Sequence, residues 1–542
     1  MKGLEMKNNI IKSILALLLV IFFISAVLGI SIALYKKRGM IKNLIQSRPV
    51  PKFVMGKSNN SEKINPAETE TKNQEIIVNI EPAHELRKIS KLLYGTNLAP
   101  KAESETDIIQ FVKTTGITCF RFPGGDSPGY HWKTGSFDFM ERYKSVPLRN
   151  LDYLIEFCKL TNTKLIIQVN VESGNAKEAA GWVEYMNKVK QFPVQYWELG
   201  NEVYGDWDKA FMDGAAYAQL IKRYALAMKN VDPNIKIGVD WAPMKSENFN
   251  IAVVKAAGEY IDFVSCHWYP NHIKSDHKYE ERIHPTAEEV MGNYLQIPKM
   301  IDRVKQIFEV YSPRKKDNVE VTFLEWDGAW DGPSSDAPPY SQGIAQWSLA
   351  NAIFYADCLG QFAKSGVTVS NHYDLQSIGF GLIRGWDKEA GWGGQRWDGE
   401  LVRPKALAIQ LFSKYFGDVF IETNIENTPF YYKEQDWWAD SYSGNVSYIS
   451  CYASKFSNAK KISIVIINKE REKTHKVRIN IASVQPRNEA NYFVLTGPDL
   501  MAENEGNPGN VKIKTFKVTG VSKGFFFSVP PRSINLLEIE YD

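Results

Sequence analysis

Two segments of this 542-residue chain each end in a carboxylate placed where it could do chemistry. One reads Tyr196-Trp197-Glu198-Leu199-Gly200-Asn201-Glu202, the other Val321-Thr322-Phe323-Leu324-Glu325-Trp326. Each has the apolar and aromatic run of a buried strand ahead of its glutamate. Two carboxyl groups held about 5 to 5.5 Å apart can cleave an acetal with retention, one attacking the anomeric carbon while the other protonates the leaving oxygen. The pair needs opposite environments, since the acid must keep its proton near neutral pH and the nucleophile must stay ionised. A lone glutamate at a strand end is ordinarily a solvated residue; two on suitably placed strands reverse that reading. Glu198 competes for the acid role, but it lies within the strand, where a structural ion pair suits it better.

Other residues gather around these two. Asn201 can donate to a sugar 2-hydroxyl, a contact that strengthens in the transition state. Arg121-Phe122-Pro123-Gly124-Gly125-Asp126 offers an arginine that can brace a carboxylate before a sharp glycine turn. His267-Trp268-Tyr269-Pro270 places a phenol that can hydrogen-bond Glu325 and hold it ionised. Trp132, Trp207, Trp330, Trp392 and Trp397 fall in loops, where aromatic faces suit the apolar faces of sugar rings. His272, His277 and His284 follow His267 without the spacing of a metal site, so neither a metal nor another cofactor is expected.

These residues need elements to position them. From Glu75 onwards, strand segments alternate with helical ones. The spacing predicts strands at Leu92–Asn97, Ile117–Arg121, Lys164–Val169, Gln195–Leu199, Ile235–Asp240, Asp262–His267, Val319–Glu325 and Val367–Asn371. Helical runs fall between them at Asn150–Leu160, Ala176–Val189, Ala215–Lys229 and Gln342–Ala363. Eight strands separated by helices predict an α/β fold, a parallel (β/α)8 TIM barrel over residues 75–416, with its active site at the C-terminal strand ends. Beyond Gly417 the pattern becomes alternating strands, predicting an antiparallel β-sandwich over residues 417–542. The strand at 75–80 is expected to join that sandwich.

The N-terminus has a different character. Ser13 to Leu34 is an uncharged apolar run long enough, at about 1.5 Å per residue, to cross a bilayer. It is read as an uncleaved membrane anchor within residues 1–35, followed by a polar linker over 36–74. Lysines flank both ends, so the expected extracytoplasmic position of the catalytic part rests on where polysaccharides lie. Basic and acidic residues nearly balance, 65 against 62, and are spread along the chain, which points away from nucleic acid. Five scattered cysteines with no C-x-x-C pair read as buried thiols.

At these motifs the chain resembles glycoside hydrolase family 51, the α-L-arabinofuranosidases of clan A. The match begins at Ile77-Val78-Asn79-Ile80-Glu81-Pro82 and Leu93-Tyr94-Gly95. It continues through Arg121 to Asp126, Gly129-Tyr130-His131-Trp132, Ala179-Ala180-Gly181-Trp182 and Trp197 to Glu202, and extends to Phe416. The resemblance implies a barrel joined to a β-sandwich and hydrolysis with retention. It implies Glu202 as acid/base and Glu325 as nucleophile, with Arg121, Asn201, His267 and Tyr269 around them and an oligo- or polysaccharide as substrate. Three departures bear on the sugar. The family's glutamate after Tyr-Gly and three residues is absent from Tyr94-Gly95-Thr96-Asn97-Leu98-Ala99; Asp126 replaces an asparagine; and Trp330 is shifted by one residue. An endo-acting clan A glycanase and an inactive carbohydrate-binding protein are the rival readings, the second disfavoured because both carboxylates are present.

Overall fold

The computed structural model describes residues 74–98, 106–125, 129–137, 150–271, 285–313, 315–329, 345–377, 379–383, 401–434, 440–505 and 507–542. The apolar run Ser13–Leu34 and the linker expected to follow it lie outside the described residues, apart from Gln74. Among the described residues no helix is long and apolar enough to cross a membrane.

Eight parallel strands close into a barrel. In chain order they are Gly95–Asn97, Cys119–Phe122, Lys164–Val169, Tyr196–Leu199, Lys236–Trp241, Phe263–Trp268, Glu320–Trp326 and Ser370–His372. Each expected strand is present, displaced by a few residues at its ends. Helices Leu151–Thr161, Ala176–Val183, Gly214–Val231, Glu247–Ala257, Ile297–Tyr311, Leu349–Ser365 and Pro404–Tyr415 lie among the connections. Their starts follow from local chemistry. Asn150, Asn175, Asp213 and Ser348 each accept a backbone N–H of the first turn through the side chain, satisfying donors that the helix cannot. The run expected as one helix over Ala176–Val189 changes pitch, passing from α-helix to a π-helix over Glu184–Val189.

The C-terminal part differs from the expected sandwich. It is one nine-stranded sheet, and it is not wholly antiparallel. Strand Ile76–Lys88 runs through its middle, antiparallel to Val419–Glu426 and parallel to His475–Ile481. Register shifts after Glu81 and Glu85 interrupt the pairing, and such irregularities sharpen twist and bend a strand. The sheet curls until Val78, Ile80, Ile421, Ile464, Ile479, Phe527 and Leu537 enclose a single core. Its other face, including Val465, Ile467, Leu495 and Leu536, joins the barrel's core. Helix Leu349–Ser365 is buried along nearly all its length, and its Asp357 ties it to the sheet. That carboxylate meets Lys469 Nζ at 2.8 Å, Ser450 Oγ at 2.5 Å and the Tyr452 hydroxyl at 3.0 Å.

Candidate active site

The C-terminal ends of the barrel strands converge on one fully buried cation, Arg121. Its Nε donates to Glu198 Oε2 at 2.6 Å, and its Nη1 to Asn97 Oδ1 at 3.0 Å and Glu325 Oε2 at 3.2 Å. Its Nη2 donates to Asn201 Oδ1 at 2.9 Å. The planar guanidinium thus sets four side chains from strands one, four and seven and the turn after strand four in a fixed relation, which a point-charge lysine could not do. Asn97 is itself locked, since its Nδ2 donates to the Leu324 carbonyl at 2.8 Å and the His372 carbonyl at 3.1 Å.

Glu325 is held through both oxygens, Oε2 by Arg121 and Oε1 by the Tyr269 hydroxyl at 2.8 Å. Glu202 stands just past strand four with φ +49°, in the left-handed region that few residues other than glycine adopt. Its Oε2 accepts from Trp207 Nε1 at 3.0 Å and its Oε1 from the Tyr204 hydroxyl at 3.3 Å. His267 lies between the two glutamates, with Nδ1 3.1 Å from Glu202 Oε1 and 3.7 Å from Glu325 Oε2. Ligand atoms of Glu202, His267 and Glu325 lie within 4.8 Å of one another. Two carboxylates this close match a double displacement, whereas an inverting pair stands roughly 6.5 to 9.5 Å apart to admit water.

The electrostatics follow from burial and from two cations among several carboxylates. Burial acts upward on Glu198, but Arg121 and then His267 overcome it and hold that carboxylate down to about 2. Burial lowers His267, yet Glu325, Glu198 and Glu202 together push it up to about 10, so it is an imidazolium at neutral pH. Burial, helped by the Glu202 charge and opposed by His267, Arg121 and Tyr269, pushes Glu325 up to about 7. Glu202 is lowered, burial being outweighed by His267, then Trp207. This ordering of the unliganded pair is the reverse of that required of an acid at Glu202 and a nucleophile at Glu325. Its cause is that burial outweighs the nearby cations at Glu325 while His267 outweighs burial at Glu202; repulsion between the two carboxylates then leaves them one proton to share. Arg121 and Tyr269 favour the charge on Glu325, while His267 Nδ1 lies against Glu202.

Six of the residues singled out from the sequence meet at this centre: Glu202, Glu325, Arg121, Asn201, His267 and Tyr269. Asp126 and Trp330 lie outside the described residues, as do His272, His277 and His284. Glu198, the rival for the acid role, is sealed beneath Arg121. Sequence reasoning passed over Asn97, Tyr204 and Asp240. Asp240 carried a usable signal, an acidic residue at the end of an apolar strand, the same signature as Glu325. Three ligand atoms from Glu198, Asp240 and His267 also lie within 4.8 Å of one another. The charge that a metal ion would supply there is already provided by Arg121 and the His267 imidazolium.

Comparison with known proteins finds relatives of this chain in sequence and fold. Residues 397–533 match the profile of the α-L-arabinofuranosidase C-terminal domain. A probable α-L-arabinofuranosidase C of Aspergillus fumigatus is 29% identical over 26% of this chain and 33% of its own length. The chain thus aligns with about a third of that relative. A probable α-L-arabinofuranosidase C of Aspergillus flavus is 22% identical over 82% of this chain and 90% of its own. The solved structure of a thermostable GH51 α-L-arabinofuranosidase from Thermotoga petrophila superposes with TM-score 0.70 at 24% identity, covering 86% of this chain and all of that one. That likeness is one of fold.

Proposed function

We propose that this chain belongs to the α-L-arabinofuranosidases of glycoside hydrolase family 51 and hydrolyses α-L-arabinofuranosides with retention, by double displacement. The observation that carries the reading is the paired carboxylates within 4.8 Å, one of them held through both oxygens by Arg121 and Tyr269. Charge balance is met when one member of the pair is ionised. Arg121 and His267 bring two positive charges, and Glu198 with one ionised member of the Glu202–Glu325 pair brings two negative ones. The reactive form places the remaining proton on Glu202. Burial is the larger effect raising Glu325, but protonating Glu202 removes the repulsion that adds to it, which eases ionisation of the nucleophile as the acid is loaded.

In the first step Glu325 attacks the anomeric carbon, the bond to the leaving oxygen breaks, and Glu202 gives that oxygen its proton. Glu202, now a carboxylate, then removes a proton from a water whose oxygen displaces Glu325 from the sugar. Asn201 is held by Arg121 Nη2 through its Oδ1, which leaves its amide N–H groups to face the sugar. Trp207 is 63% exposed while its indole N–H binds Glu202, so its ring offers a surface beside the leaving group.

The test is hydrolysis of an aryl α-L-arabinofuranoside by the full chain, beside arabinan, xylan and β-glucan. Activity on the aryl arabinoside that falls by about 10³-fold or more in Glu325→Ala supports the reading. Shortening of a polymer with no action on the aryl arabinoside overturns it in favour of an endo-acting glycanase, which the missing glutamate after Asn97-Leu98 would suit. No loss in the variant refutes the role of Glu325. The apolar run Ser13–Leu34 supports attachment to a membrane, and the usual place of polysaccharides supports a catalytic part outside it; protease accessibility on intact cells tests that arrangement.

A further inference from the structure

Glu202 sits on a left-handed backbone, a conformation that is strained for a residue bearing a Cβ. Something must hold it there. The peptide N–H of the next residue, Val203, donates to Asp240 Oδ2 at 3.1 Å, from the end of the neighbouring barrel strand Lys236–Trp241. Gly200, at φ +97°, gives the turn the room it needs, since a Cβ there would stand 2.7 Å from Val203 Cγ1 and 3.3 Å from the same Asp240 oxygen. The other end of the segment is tied to the same residue. The Asp240 N–H donates to the Tyr217 hydroxyl at 3.0 Å, and that hydroxyl donates to the Leu199 carbonyl. Asp240 therefore grips the chain on both sides of Asn201 and Glu202.

We propose that Asp240 is the positioning residue for the acid/base glutamate, fixing Glu202 through the Val203 peptide N–H that its side chain accepts. Asp240 is 1% exposed, its neighbour Glu198 is ionised, and the opposing His267 stands within 4.8 Å but forms no ion pair with it among the described residues. Burial and then Glu198 push it up to about 8, so it holds its proton at neutral pH. Its Oδ2 still accepts from Val203 in that state. A neutral amide in its place should do the same work.

The inference rests on Glu202 being the acid/base, and the experiment separates the two claims by leaving-group dependence. Loss of acid assistance slows cleavage of poor leaving groups far more than that of activated aryl groups, and the slowed second step is rescued by azide, which needs no base. Glu202→Ala is the reference and must show both signs; if it shows neither, the acid/base assignment fails. Asp240→Ala should then show the same pattern, with a loss of about 10- to 100-fold on an alkyl arabinoside, a smaller loss on a dinitrophenyl arabinoside, and partial azide rescue. Asp240→Asn should restore most of the loss. If Asp240→Ala does not fold, Tyr217→Phe loosens the same segment from its other end and must show the same leaving-group dependence. An equal loss on all substrates, or no recovery with asparagine, overturns the proposal while leaving Glu202 in its role.

Discussion

The centre works as a shared proton between two glutamates, set by one arginine, one histidine and one tyrosine. His267 carries the clearest pH consequence. Its value is raised from 6.5 to about 10, so its contribution to stability is full below about pH 6.5 and is lost as pH rises through 10. Thermal melts of the wild type and His267→Gln should therefore converge between those values, the wild type losing its advantage on the alkaline side. A constant gap from pH 6 to 10 would show that the imidazole is not protonated in the fold. At this scale the sequence was most legible where residue type and strand end coincide, as at Glu202, Glu325, Arg121 and Tyr269. Asn97 was opaque because its role depends on Leu324 and His372, more than 220 positions away. The turn at Glu202 was opaque too, since nothing in its residue type announces a positive φ.

Strands were legible as apolar runs of the right length, and their alternation with helices pointed to the barrel. What composition concealed is how the helix Leu349–Ser365 is joined to the sheet. Its Asp357 looks like one polar residue in an apolar run, yet it pairs in a fully buried setting with Lys469. Breaking such a pair on one side strands the other charge. Asp357→Asn should therefore cost about 3 to 5 kcal/mol in denaturant unfolding. Replacing both partners with apolar residues of similar size should recover much of that loss. A single variant as stable as the wild type would show that Lys469 is not charged there, or that water reaches it.

Over the whole molecule the chain's two described layers depend on a strand that precedes the barrel. Ile76–Lys88 bridges Val419–Glu426 and His475–Ile481, so the nine-stranded sheet is continuous only because residues more than 330 positions apart pair. The β-branched run Ile76–Ile80 ahead of the barrel strands made its membership of a sheet legible, but not that this sheet would curl as one piece. Val78 is fully buried in the curl's core, and Val78→Asp, an unpaired charge placed there, should prevent the sheet from closing. Limited proteolysis should then cut the C-terminal half, and activity should fall although no residue of the site is altered. An uncut, active Val78→Asp would contradict this, and a cut but active one would show that the barrel stands without this strand. The central claim, that Glu325 attacks the sugar, is tested most directly by trapping the glycosyl-enzyme with an activated 2-fluoro-arabinofuranoside and mapping the labelled peptide by mass spectrometry. One sugar attached at Glu325, absent in Glu325→Ala, is the result predicted here; a label on another carboxylate, or turnover with inverted product and no label, would contradict it.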